Sequence, residues 1–159
     1  MSTLNVVAKP GEAQLEMARV FDAPRELVFK AYTDATLVPR WWGPRYLTTT
    51  VDKLEARSGG SWRFVQRAPD GGIHAFHGVY HDVTAPERLV YTFEYEGMPG
   101  HVMLETVVFE DMGGKTRVVV GGAFQSAADR DGMIESGMEE GAEESNQRLD
   151  ELLAELKLN

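Results

Sequence analysis

The chain has 159 residues, 43% of them hydrophobic and 26% charged, with a formal charge of −9 and no cysteine. That length suits one domain, and the missing thiols exclude disulfides, thiolate-bound zinc and a cysteine nucleophile. From residue 129 onward ten acidic residues stand against Arg130, Arg148 and Lys157, a local charge of −7 that repels phosphate backbones and anionic membranes.

No apolar run approaches the roughly 20 residues that cross a bilayer, and the first residues lack the charged start and long apolar stretch of a secretory leader. The expectation is a cytoplasmic protein with no nucleic-acid partner and no membrane insertion. Its single domain spans residues 1–159, with the core at about 13–157.

In chain order, residues 13–21 alternate apolar positions at Leu15, Met17 and Phe21, which predicts a first strand with one buried face. Asp22, Ala23 and Pro24 then read as a helix start, with Asp22 as the cap, followed by Leu27, Val28, Ala31 and Tyr32 at helical spacing. A second short helix is expected over 34–40, ended by Pro39, Gly43 and Pro44. Six runs rich in β-branched and aromatic residues follow, over 47–56, 61–68, 73–83, 88–95, 102–111 and 116–124. Turn-forming sets such as SGG, PDGG and MGGK separate them, so consecutive strands pair as an antiparallel meander. After Gln125 the composition turns to Ala, Glu, Met and Leu, predicting one helix of about 30 residues from near Ala127 to Lys157. One antiparallel sheet with helices on one face is an α+β design.

That last helix contains Gly132, Gly137 and Gly141, and each interior glycine costs roughly 1 kcal/mol relative to alanine. Met133, Ile134, Met138 and Ala142 continue the apolar stripe of Leu149, Leu152, Leu153 and Leu156, and Gly137, Gly141 and Ser145 form a bare row beside it. Such a row permits close packing on the sheet, or it roofs a cavity. The inward positions of the sheet are large: Trp62, Phe64, Phe76, Tyr80, Tyr91, Phe93, Tyr95, Met103, Val107 and Phe109. Large residues facing a bare strip enclose apolar space of the kind that binds small molecules.

Glu105 shares strand parity with Met103 and Val107, and a carboxylate among apolar neighbours has a raised pKa suited to proton transfer or to holding a polar ligand group. It is the one catalytic candidate, and the alternatives are a solvated position at the cavity mouth or a bulge that rotates it outward. Arg63 has the opposite parity to Trp62 and Phe64 and belongs outside, while Gln66 is open between the two faces. Of the adjacent Trp41 and Trp42, one packs inside and the other lies at the rim, with Trp42 taken as nearer to ligand. His74 and His77 point to opposite strand faces, and His77 and His81 share a face about 13 Å apart, too far for one metal ion. His101 is read as a loop residue. Neither a nucleophile elbow nor a phosphate loop is present, so no cofactor is expected.

The stretch FDAPRELVFKAYTDATLVPRWWGP, with GGSWRF, PDG, PERLVYTF and GGKTRVVV in that order, resembles a known family. It is the family related to the activator of the ninety-kilodalton heat-shock-protein ATPase, within the START and birch-pollen-allergen-like (SRPBCC) superfamily. The resemblance covers residues 14–156. It implies a helix-grip fold: a curved antiparallel sheet wrapped around a long C-terminal helix, two short helices after the first strand, and a deep apolar pocket. Members often carry tryptophan after the glycine aligned with Gly141, where this chain has Ala142, which implies a larger or differently shaped cavity.

The leading expectation is binding of a hydrophobic or amphipathic small molecule, lipid- or polyketide-like. The proposed ligand-binding set is Trp42, Trp62, Phe64, Phe76, Tyr80, Tyr91, Phe93, Tyr95, Met103, Glu105, Met133, Gly137, Met138 and Gly141. One alternative is a cofactor-independent cyclase or hydrolase-like enzyme using Glu105. Another is a stress-related chaperone-interaction module using the acidic helix, although the activity that names the family belongs to members with an additional domain. Pairing through sheet edges, a habit of the superfamily, leaves a homodimer open.

Overall fold

The computed structural model describes residues 3–158. Eight strands form one antiparallel sheet: β1 (Asn5–Val7), β2 (Gln14–Phe21), β3 (Thr48–Leu54), β4 (Ser61–Arg67), β5 (Ile73–Thr84), β6 (Arg88–Tyr95), β7 (Val102–Asp111) and β8 (Thr116–Ala123). Their order is β1-β2-β8-β7-β6-β5-β4-β3. The six consecutive strands form the expected meander, and the first long strand closes it by pairing with the last. This is the α+β helix-grip arrangement implied by the resemblance, with three departures in detail.

The first is β1, a short edge strand paired with β2 through Val6 and Met17, in a segment whose sequence carries no strand pattern. The second concerns α1 (Arg25–Thr33). Its cap position is Pro24, with no side-chain cap, while Asp22 instead accepts an ion pair from Lys157 at 3.5 Å. The expected second helix is reduced to a single 3-10 turn, Val38–Arg40, entered through an Asx turn in which Asp34 Oδ1 accepts from Thr36 N at 2.8 Å.

The third departure is the C-terminal helix, which is two helices. Helix α2 (Ala127–Glu135) is capped by Ser126 Oγ, which accepts from Asp129 N at 3.0 Å, and α3 (Met138–Lys157) carries the apolar stripe. Gly137 joins them with φ at +87°, a left-handed conformation that glycine reaches without the Cβ clash other residues suffer. One of the three glycines is therefore the joint itself.

Packing is densest toward the C-terminal end of α3. Leu149, Leu152 and Leu153 are fully buried there, against Phe21, Val28, Leu89, Val107 and Phe109. Phe109 takes edge-on contacts from Phe29 and Tyr32, each at 5.2 Å between ring centroids. No helix among the described residues is long and apolar enough to cross a membrane.

Candidate functional site

The N-terminal half of α3 does not close onto the sheet. Between them lies a cavity of about 350 Å³, walled by the inward side chains of β2 and β4 to β8 and roofed by α2 and α3. Gly141 decides between the two readings of the bare helix row. A Cβ built there meets no heavy atom within 4 Å, so the missing side chain faces open space and serves no close packing.

Twelve of the fourteen residues singled out from the sequence line this space. Trp42, Trp62, Phe64, Phe76 and Phe93 form its aromatic wall, with Tyr80, Tyr91, Met103 and Glu105 beside them and Met133, Met138 and Gly141 above. Trp42 sits in the middle, 5.0 Å from Phe64, 5.3 Å from Phe76 and 6.5 Å from both Trp62 and Phe93, mostly edge-on. Trp41 is buried; its Nε1 donates to Ala31 O at 2.9 Å and its own carbonyl accepts from Ser145 Oγ at 2.9 Å. It anchors the turn that presents Trp42.

Two expectations fail. Gly137 is the interhelix joint and does not line the cavity. Tyr95 has the inward parity but lies past the wall, where its ring packs on Phe76 at 5.1 Å and its hydroxyl meets His74 Nδ1 at 2.8 Å.

A glycine shapes the wall from within the sheet. A Cβ on Gly78 would stand 1.7 Å from Thr92 O and 2.5 Å from Trp62 Nε1, the two atoms that share a 3.2 Å hydrogen bond. Only a residue without a side chain leaves room for that hydrogen bond. Beyond it a bulge at His81 shifts the alternation, so that Tyr80 and then Val83 turn inward.

The polar part of the cavity is small. Glu105 points inward, and its Oε2 accepts from Tyr91 Oη at 2.6 Å, a length expected when a hydroxyl donates to a carboxylate. Burial pushes the Glu105 pKa up, and the Tyr91 hydrogen bond opposes it in part. Tyr91 is held well above the usual phenol range, by burial first and by the Glu105 charge second. Tyr32 and Tyr80 are also raised, chiefly by burial. The surface that Glu105, Tyr91 and Tyr32 retain is cavity surface.

Three further residues line the cavity: two carry a strand parity that charge and polarity mask, and the third comes from α1. Arg19 alternates with Leu15, Met17 and Phe21 on β2 and is therefore inward; it is 3% exposed, binds Asp150 of α3 at 2.6 Å and stacks over the Phe21 ring at 4.8 Å. Gln66 continues the Trp62 and Phe64 alternation and is 4% exposed. Tyr32 reaches in from α1 against Trp41 at 4.7 Å.

The outer face holds what parity assigned there. Arg63 makes a two-pronged bond to Glu96 at 2.8 and 2.9 Å, and His77 Nδ1 reaches the same carboxylate at 2.9 Å. These partners hold the Glu96 pKa down to about 2, with the Arg63 contribution first and His77 second. His101 precedes β7 and faces Asp129 at 3.0 Å.

The family model described as "Activator of Hsp90 ATPase homolog 1-like protein" matches residues 22–154, most of the chain. The chain belongs to this family. No curated protein matches it. Among solved structures, a protein from Rhodobacter sphaeroides has a TM-score of 0.87 at 28% identity, over 96% of this chain and 99% of that one. One from Arthrobacter aurescens has a TM-score of 0.87 at 27% identity, over 95% and 91%, and one from Staphylococcus epidermidis 0.82 at 29%, over 95% and 94%. The likeness extends over nearly the full length in each case, so these structures share the same frame.

Proposed function

We propose that this family member binds a hydrophobic or amphipathic small molecule between the sheet and α3. The observation that carries the reading is the open space beneath Gly141 in an aromatic-walled cavity of about 350 Å³. That volume sits at the lower end of the range of small-molecule sites, roughly 300 to 1,000 Å³, and suits a compact guest of one or two rings. Native mass spectrometry of protein purified from its own host tests it: a retained mass released on denaturation is the expected result. A bare chain whose tryptophan fluorescence also ignores every amphiphile titrated against it would overturn the reading, because Trp42 and Trp62 stand in the wall.

The Glu105 and Tyr91 pair supports a second reading, in which the cavity moves protons on its guest without a cofactor. Once a guest is known, Glu105→Gln separates the two. Lost turnover with retained binding is the enzyme's signature; unchanged chemistry leaves a carrier.

A further inference from the structure

The charges of the cavity bear on which guest it takes. Two charged side chains line it, Arg19 and Glu105, and they are in opposite situations. Arg19 is committed: its Nη2 binds Asp150 at 2.6 Å, its plane lies on Phe21, and its two remaining nitrogens, though without hydrogen-bond partners, are sealed from the cavity space. An anionic head group has no route to them in this packing. Glu105 is open. Its Oε2 accepts the hydrogen bond of the Tyr91 hydroxyl, while Oε1 has no hydrogen-bond partner among the described residues, and the residue lines the cavity. Across the sheet its neighbour in register on β8 is Gly122, which contributes no side chain to cover it.

The neighbouring surface is negative as well. Leu4 lines both the cavity and a more open surface groove bordered by Glu139, Glu140, Glu143 and Glu144. Glu144 accepts from the backbone N–H of Arg45, but Glu139, Glu140 and Glu143 take part in no ion pair among the described residues. A rim of that sign raises the local concentration of cations and lowers that of anions. The walls add their own preference, because the faces of tryptophan and phenylalanine rings attract a positive charge and disfavour a negative one.

Resting on the reading of the cavity as a binding site, we infer that its guest is an amphipathic amine, with the ammonium group on Glu105 Oε1 and the apolar body among the rings around Trp42. Fatty acids and other carboxylates are excluded by the same arrangement.

The test uses three probes that differ only in head group: phenylbutylamine, phenylbutanol and phenylbutyrate, titrated calorimetrically into the full chain. The amine is expected to bind about tenfold or more tightly than the alcohol, the gain of one hydrogen-bonded charge pair, and the carboxylate weakest. Glu105→Gln is expected to erase the amine's advantage over the alcohol. Equal or tighter binding of the alcohol or the carboxylate by the wild-type chain overturns the inference while leaving a binding cavity. Failure of all three to bind overturns the cavity reading with it. The comparison within the wild-type chain decides the matter even if the variant does not fold.

Discussion

The two halves of α3 do opposite work on the same sheet. Toward its end, Leu149, Leu152 and Leu153 are buried in one core cluster with Phe21 and Phe109; toward its start, Gly141, Ala142 and Ser145 line the cavity. The helix is continuous from Met138 to Lys157, so the difference is one of side-chain size along one element. The space under α3 therefore follows from side-chain size, and the roof continues past the Gly137 joint into α2. It exists because the packed half and the loop contacts of Ser145, which donates to Trp41 O and accepts from Gly43 N, fix the height of the helix.

The contrast can be broken most forcefully at its packed end. Leu149→Ala removes a fully buried side chain and is expected to cost about 2 to 5 kcal/mol in denaturant unfolding, the cost of a large-to-small core substitution. In the open half, Ala142→Trp puts a ring into the cavity: binding of any guest is expected to weaken about tenfold or more, the equivalent of roughly 1.4 kcal/mol, with the fold retained by circular dichroism. A thermal shift series on Glu105→Gln sharpens the contrast in another way. The Glu105 pKa is raised in the folded chain, so its protonated form favours folding and its ionised form opposes it. The wild-type contribution is fully present below the ordinary carboxylate range and is lost as pH rises through the folded value. The variant should therefore gain on the wild type as pH increases from about 4 toward neutrality; a gap that is constant with pH would contradict the assignment. The smallest effect is expected at Gly141→Ala. Its Cβ meets nothing, so the helix should gain up to about 1 kcal/mol from propensity alone, opposite in sign to the Leu149 change.

The same division marks what the sequence made legible. Regular alternation revealed the walls: Trp62 and Phe64, Tyr91 and Phe93, and the turn sets between strands fixed the meander and hence which faces meet. Glu105 was legible for the same reason, since parity with Met103 and Val107 placed it inward. Arg19 also has inward parity, but parity alone does not bury it: a guanidinium on a strand is ordinarily solvated, and its buried position depends on Asp150, which is 131 residues away in the chain. Tyr95 shows the reverse, an inward parity whose side chain is drawn past the wall by His74. Three glycines in one helical stretch announced an irregularity, but propensity is nearly equal among them, and only the three-dimensional path selects Gly137 as the left-handed joint. The strand β1 carries too few residues for any period to show.

The joint at Gly137 has a mechanical consequence. On one side α2 is clamped by buried Arg130, whose Nη1 donates to the carbonyls of Lys9 and Gln14 at 2.7 and 3.1 Å; on the other α3 is pinned through Ser145. Between these two fastenings the ceiling is supplied by Met133 and Met138, unbranched thioethers that refill irregular gaps by changing rotamer. The ceiling of the cavity is thus upholstered rather than moulded: the sheet below sets a fixed template of rings, and the two methionines can reshape the space above it by changing rotamer.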